Sequence, residues 1–247
     1  MIVKNIMKSV VKLTVLYDNN SLSAELLPEP DWGFACLIEF REIKILFDTG
    51  ESGNILLNNM MHLKIDPLSI NIVFLSHFHH DHTGGLIEFL KINPYVKIFY
   101  PQSFPIHLID AINISVSEPF PVSEFQEILT DIYTLGEFKG LIPEQSLVLR
   151  NSSGIVVITG CAHPGIICVL ENVKKFFPNE TISFLIGGFH LHKMQNEERT
   201  KTINRIYEME VQSIAPSHCT GDIASKMLKE KYGTKYLEIG VGKIVEI

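Results

Sequence analysis

Residues 77–82 carry a dense group of side chains that bind metal ions in proteins. They form the motif His77-x-His79-x-Asp81-His82, with a fourth histidine at position 80. Imidazole nitrogen suits zinc, iron and other borderline divalent ions, and carboxylate oxygen suits harder ions. If His77 and His79 point the same way they can hold one ion, and Asp81 with His82 can hold a second. Two neighbouring ions can share a hydroxide and polarise a substrate oxygen, so the motif predicts a metal-dependent site.

The motif lies between a predicted strand and a predicted helix. An apolar, β-type run covers residues 70–75, and Gly84-Gly85 precedes a helical pattern over residues 86–91. This places the motif at the carboxyl end of a strand, where α/β folds commonly have their sites. Three later histidines also follow predicted strands, at residues 155–159, 181–186 and 211–215; they are His163, His190 and His218.

Composition limits the class of protein. The chain has 247 residues, and 46% of them are hydrophobic, which is enough for a sizeable core. A net charge of −7 argues against broad nucleic-acid binding, which favours a basic surface. The four cysteines are widely spaced and form no disulfide framework, so we expect a reduced, cytoplasmic location. We find no signal peptide in residues 1–12 and no apolar run long enough for a membrane span.

The pattern of hydrophobic residues in the rest of the chain predicts that the domain has two halves. Each half has strands followed by helices. Residues 103–145 contain several prolines and aromatic residues, and they are either a substrate lid or a packed insertion. The other predicted strands cover residues 11–17, 34–40, 43–47, 96–100, 127–133, 146–149, 235–239 and 243–247. The other predicted helices cover residues 54–62, 166–177, 196–209 and 222–231.

The motif, its preceding strand and the following Gly84-Gly85 resemble the signature of the metallo-β-lactamase superfamily. The resemblance implies one domain over residues 1–247, of α/β (α+β) class, folded as a four-layer αββα sandwich. It implies one or two divalent metal ions, with zinc as the first expectation and magnesium, manganese or iron as alternatives. A first ion would be bound by His77, His79 and His163, and a second by Asp81, His82 and His218.

Asp48 ends the strand at residues 43–47 and precedes a glycine at position 50. In the superfamily an aspartate at this strand end lies beneath the metal loop, so Asp48 resembles a buried acid that orients that loop. The alternative for Asp48 is an ordinary turn aspartate. Cys219 follows His218 directly, so its side chain should point elsewhere, and we interpret it as structural.

Position 190 departs from the superfamily pattern. Most members have an aspartate there whose carboxylate bridges two ions, whereas this chain has His190 and no acidic residue until Glu197. A neutral imidazole offers one lone pair and cannot bridge two ions. Three interpretations remain open: His190 binds one ion, the site holds a single ion, or His190 is an acid–base group. His190 and Asp81 are the candidate catalytic residues.

Three segments narrow the resemblance to one branch of the superfamily. Residues 159–165, 187–190 and 216–221 resemble the branch that includes 7,8-dihydropterin-6-yl-methyl-4-(β-D-ribofuranosyl)aminobenzene 5′-phosphate synthase. That branch implies a small-molecule substrate, pterin or phosphorylated, and a condensation with loss of pyrophosphate. Lys193 and Arg199 are candidate contacts for its phosphate. The alternatives are a hydrolase of a small ester, lactone or phosphoester that uses a metal-bound hydroxide, and a non-enzymatic metal sensor or scaffold.

Overall fold

Two β-sheets pack face to face and carry helices on their outer sides. The computed structural model describes residues 10–22, 28–115 and 118–247. Within them the first sheet has seven strands, in the order β13-β1-β2-β3-β4-β5-β6. These strands are β1 (Val11–Tyr17), β2 (Ala35–Phe40), β3 (Ile43–Phe47), β4 (Ile72–Phe74), β5 (Lys97–Pro101), β6 (Glu118–Val122) and β13 (Ile244–Glu246).

The second sheet has six strands in the same described ranges, in the order β12-β11-β10-β9-β8-β7. They are β7 (Gln126–Leu129), β8 (Ile132–Thr134), β9 (Leu147–Asn151), β10 (Gly154–Thr159), β11 (Ile182–Gly188) and β12 (Ser213–Ser217).

Helices cover the outer face of each sheet. The first sheet packs against α1 (Gly53–His62), α3 (Leu86–Ile92) and α4 (Ile106–Ser115). The second packs against α5 (Ile166–Phe176), α6 (Asn196–Glu208) and α7 (Asp222–Tyr232). A single helical turn, α2 (His80–Thr83), lies inside the metal motif.

Successive side chains of a strand point to opposite faces of its sheet. Three hydrophobic layers therefore lie between the helix, sheet, sheet and helix layers. In β10, Val156 and Ile158 face the first sheet, whereas Ile155 and Val157 face the helices. A strand covered on both faces must be apolar throughout, and all six residues of β10 are buried. The predicted αββα sandwich of mixed α/β class is therefore confirmed.

Parallel strands bring the predicted site residues together. Strands β3 to β6 run parallel in the first sheet, and β10 to β12 run parallel in the second. Their carboxyl ends form one edge of each sheet, and such edges carry the sites of α/β proteins. The loops that follow these strands contain Asp48, the motif at 77–82, and the histidines at positions 163, 190 and 218.

Two sequence-based strand predictions need correction, and two of the longer elements were not predicted. Residues 127–133 form the hairpin β7–β8 rather than one strand, because Asp131 turns the chain with a φ of 66°. Residues 235–239 are not a strand; Tyr236 makes an isolated bridge to Ile214. The two longer elements that were not predicted are helix α4 and strand β6.

Residues 103–145 contribute to both sheets, through β6 in the first and β7 and β8 in the second. Residues 1–9, for which we expected no signal peptide, lie outside the described residues. So do residues 23–27 of the loop before β2. No helix in the described part of the chain is both long and apolar enough to cross a membrane.

Candidate metal centre

Asp48 lies directly beneath the metal motif. Its carboxylate is fully buried and accepts hydrogen bonds from the Ser76 backbone N–H and the Ser76 hydroxyl, both at 2.7 Å. The same carboxylate lies 2.7 Å from His82 Nδ1. Hydrogen bonding of one ring nitrogen fixes which nitrogen remains free for a metal. Asp48 therefore directs His82 Nε2 toward the centre.

Three imidazoles converge at the first predicted site. His79 Nδ1 lies 3.2 Å from His77 Nε2 and 3.2 Å from His163 Nε2. Zinc–nitrogen bonds of 2.0–2.1 Å in tetrahedral geometry place neighbouring ligand nitrogens about 3.3 Å apart. Burial and the neighbouring histidines lower the pKa of His77, and they lower the pKa of His163 to about 3. The neutral rings and their spacing fit a divalent metal ion.

The second predicted set also converges. Candidate ligand atoms of Asp81, His82 and His218 lie within 4.8 Å of one another. His218 Nε2 is 3.1 Å from Asp81 Oδ2, yet this buried nitrogen has no hydrogen-bond partner among the described residues. The separation of these two atoms fits two ligands of one ion. Burial raises the pKa of Asp81, but His218 and His82 outweigh it and hold that pKa low.

Residues from the first strand–loop unit position this second set, and sequence reasoning did not assign them a role. Asn19 Oδ1 lies 2.9 Å from His218 Nδ1, and Asp18 accepts a hydrogen bond from the His218 backbone N–H at 3.3 Å. The Trp32 indole N–H donates to Asp81 Oδ2 at 2.9 Å. Because these residues lie 49 to 200 positions from their partners along the chain, no local pattern marks them.

Glu144 is a further residue that the sequence analysis missed. It is 1% exposed, and its carboxylate accepts the backbone N–H groups of Cys161, Ala162 and His163 at 2.8–3.0 Å. Burial raises the pKa of Glu144 to about 7, although the three hydrogen bonds oppose this rise. Ala162 adopts a positive φ of 55°, which Glu144 supports. The carboxylate thus fixes the loop that carries His163.

We expect Glu144→Ala to weaken binding at the first site by about 10–100-fold, the usual effect of removing a support of a metal ligand. The substitution leaves three buried N–H groups without an acceptor, and each such group lowers the stability of the folded state by about 1–3 kcal/mol. This loss is partly offset because a carboxylate no longer has to be buried. Metal titration with thermal unfolding measures both effects. Glu124→Ala, which removes an exposed carboxylate, is the control; equal behaviour of the two variants would contradict this role.

His190 lies at the edge of the centre. Its ring centroid is 4.5 Å from that of His163, and its buried Nδ1 has no partner among the described residues. A ring nitrogen of His190 lies within 4.8 Å of the sulfur atoms of Cys161 and Cys219. His190 does not belong to either predicted metal set. Cys219 therefore points away from the second set, as expected, but its sulfur lies within the wider centre.

The two candidate phosphate contacts have different surroundings. Arg199 is 3% exposed, and its guanidinium donates to Leu191 O at 3.2 Å and to Met194 O at 2.6 Å. It thereby supports the loop after β11. Lys193 is exposed on that loop. A phosphate role for either residue stays a prediction.

A cleft of about 800 Å³ opens beside the second set. His218 lines it, together with His192 and the half-exposed Trp32, whose ring is 4.7 Å from that of His218. The far side carries Lys226 and Asp222. The second set is therefore accessible to a small molecule.

Comparisons with known proteins agree with this geometry. The chain is 30% identical to 7,8-dihydropterin-6-methyl-4-(β-D-ribofuranosyl)-aminobenzene-5′-phosphate synthase of Methanocaldococcus jannaschii, over 88% of this chain and 91% of that protein. The crystal structure of Tm1679, a metal-dependent hydrolase of the β-lactamase superfamily, is 27% identical with a TM-score of 0.78, and the match covers 96% and 99% of the two chains.

Fold similarity extends further. The metallo-β-lactamase fold protein YhfI of Bacillus subtilis superposes with a TM-score of 0.72 at 15% identity, over 97% of this chain and 100% of that one. The family model described as the metallo-beta-lactamase superfamily matches residues 33–178, which is more than half of the sequence. This chain belongs to the metallo-β-lactamase superfamily.

Proposed function

We propose that the protein is a metal-dependent synthase that joins a dihydropterin to a ribofuranosylaminobenzene phosphate with loss of pyrophosphate. The observation that carries the proposal is the pair of adjoining ligand sets beside a cleft large enough for two small molecules. Similarity to the M. jannaschii synthase over most of both chains supports the choice of reaction.

The two ligand sets adjoin through His77 and His82, whose ring centroids are 4.3 Å apart. His82 in turn is 5.1 Å from His218, measured between ring centroids. When bound, two divalent ions supply Lewis acidity that neutralises charge on a pyrophosphate leaving group. The cleft beside His218 would bring that group to the ions.

Side chains of the cleft suit the organic parts of such substrates. The Trp32 indole is 48% exposed and presents a flat face on which a pterin or aminobenzene ring can stack. Its N–H holds Asp81, so the same residue would orient both the substrate ring and a ligand carboxylate. Asp81 is the one carboxylate of the two ligand sets and would help to hold the second ion, which in turn would attract the leaving group.

His190 has the features of a proton acceptor. When the arylamine nitrogen attacks the dihydropterin methylene and displaces pyrophosphate, that nitrogen must lose a proton. His190 is half-buried, belongs to neither ligand set, and has a ring nitrogen without a partner among the described residues. We assign the removal of this proton to His190.

A metal-dependent hydrolase is the second candidate. It is favoured by the likeness to Tm1679, a metal-dependent hydrolase of the β-lactamase superfamily. In this case Asp81, which is 19% exposed at its side chain, would orient a water for attack on an ester, lactone or phosphoester.

Pyrophosphate release distinguishes the candidates. The metal-loaded protein is incubated with a dihydropterin methyl pyrophosphate, with or without the ribofuranosylaminobenzene phosphate. The synthase predicts release only when both substrates are present. Release of pyrophosphate from the dihydropterin methyl pyrophosphate alone would favour the hydrolase. Turnover of simple esters and lactones would also favour it. Chelator-treated protein is the control for metal dependence.

Lys193→Ala tests the phosphate contact. Because Lys193 is exposed near the cleft residue His192, we expect its loss to weaken binding of phosphorylated ligands about tenfold, equivalent to about 1.4 kcal/mol, without changing stability. Lys201→Ala, an exposed lysine paired with Glu197 on α6, is the control. Unchanged affinity in Lys193→Ala would exclude this contact. Arg199→Ala should instead lower thermal stability, because its guanidinium supports the loop.

A further inference from the structure

We propose that Cys161 is a ligand of this metal centre and that its thiolate sulfur bridges the two ions. This inference rests on the proposed metal-dependent function and adds a residue that belongs to neither predicted ligand set. It also restricts the class of metal that the centre selects.

Cys161 lies where the two sets meet. Its Sγ is 3.2 Å from His82 Nε2, and the candidate ligand atoms of His77, His82 and Cys161 all lie within 4.8 Å of one another. His77 belongs to the first set and His82 to the second. Zinc bonds of about 2.3 Å to sulfur and 2.0–2.1 Å to nitrogen place the two ligand atoms about 3.5 Å apart. The sulfur is therefore positioned to bind an ion held by His82, and His77 is the residue of the first set that it adjoins.

The charge of the centre calls for an anionic donor at this point. The two sets contain five imidazoles and one carboxylate, Asp81, whereas two divalent ions carry four positive charges that repel one another. The nearby buried carboxylates are already committed, Asp48 to Ser76 and His82, and Glu144 to three backbone N–H groups. Cys161 and Cys219 are the buried thiols near the two sets in the described part of the chain, and of these two Cys161 is the one that groups with His77 and His82.

Sulfur can also do what imidazole cannot. A neutral imidazole nitrogen offers one lone pair, whereas a thiolate sulfur retains several and can bind two ions. Coordination deprotonates the thiol, and the proton passes to the solvent as the metal–sulfur bond forms. His190, which the sequence places at a strand end of the centre, need not bridge the ions.

The backbone holds this sulfur in place. Cys161 is 3% exposed, and its N–H donates to Glu144 Oε1 at 3.0 Å. Its carbonyl accepts from Cys219 Sγ at 3.7 Å. Gly160, just before it, allows close approach of the two sheets, because a Cβ there would lie 2.1 Å from Ser76 Oγ. Cys161 is thus fixed against the strand end that carries His77.

A thiolate bridge predicts a preference for softer ions. Thiolate ligands select zinc, iron and similar ions, whereas magnesium, manganese and calcium favour oxygen ligands. We therefore expect zinc or ferrous iron to occupy both positions more tightly than magnesium.

Cobalt(II) substitution tests the proposal directly. Cobalt bound to a thiolate gives an intense near-ultraviolet sulfur-to-cobalt charge-transfer band that histidine and carboxylate ligands do not give. The wild-type protein, titrated with two equivalents of cobalt, should show this band. Cys161→Ser should lose the band and bind the second ion about 10–100-fold more weakly, as expected for a lost ligand contribution. Cys168→Ser, on α5, and Cys219→Ser should keep the band.

The outcomes separate this assignment from the function itself. Two bound cobalt ions without the band in the wild-type protein, or a band that persists in Cys161→Ser or vanishes in Cys219→Ser, would overturn the assignment and leave metal dependence standing. Failure of the wild-type protein to bind cobalt at all would overturn both. X-ray absorption of the zinc-loaded Cys219→Ser protein, which should still show sulfur at about 2.3 Å, gives the same decision if Cys161→Ser does not fold.

Discussion

Replacing His79 with alanine is expected to abolish metal binding at the first site while leaving the fold intact. His79 Nδ1 is the central atom of this set, because it lies 3.2 Å from both His77 Nε2 and His163 Nε2. Loss of a hydrogen-bond partner of a ligand already costs 10–100-fold in affinity, so loss of the ligand should cost more than about 100-fold. His79 is only partly buried, and its truncation creates no enclosed core cavity.

Elemental analysis of the purified His79→Ala protein measures this effect, and far-ultraviolet circular dichroism checks the fold. His107→Ala, which removes an exposed histidine on α4, is the matched control and should retain the wild-type metal content. Wild-type stoichiometry in His79→Ala would show that these three imidazoles do not hold an ion.

Asp48→Asn is expected to weaken the second site selectively. The backbone of Asp48 has a φ of 54°, which asparagine tolerates, so the substitution preserves the shape of the turn. The asparagine oxygen can still accept the Ser76 N–H. Its amide nitrogen, however, replaces the oxygen that faces His82 Nδ1, and it donates where the carboxylate accepted.

The consequence lies in the tautomer of His82. An amide donor at Nδ1 favours the ring with its proton on Nε2, and that proton then points at the position of the ion. We expect the affinity of the second site to fall about 10–100-fold with a smaller change at the first site. Competition with a chromophoric chelator measures each site, and Asp110→Asn, an exposed aspartate on α4, is the control. Equal loss at both sites would indicate a general loosening of the loop instead.

The sequence was informative where ligands are close together along the chain. The motif at 77–82 places four candidate ligands within six residues, and its strand and helix neighbours are marked by ordinary periodicity. His163 and His218 lie far from it, and their prediction depended on the strand-end context together with the superfamily resemblance. The structure brings each of them into the set expected.

Residues that act across long separations could not be found in this way. In the sequence, Glu144 precedes β9 in a loop and resembles an ordinary solvated carboxylate. In the structure it accepts three backbone N–H groups of a loop that lies 17 to 19 positions later. Cys161 was missed for the same reason, since its proximity to His82 depends on how the two sheets pack. Within β7–β8, Asp131 lies among β-type residues, and these concealed its turn.

The two halves of the chain share the metal centre. His77 and His79 follow β4 of the first sheet, whereas His163 follows β10 of the second; Asp81 and His82 likewise meet His218, which follows β12. Bound ions would therefore cross-link the two halves, in addition to the contacts of the apolar layer between the sheets. A ligand present at a hundred times its dissociation constant stabilises the folded state by about 2.7 kcal/mol. The concentration of available metal would then affect the stability of the folded protein as well as its activity.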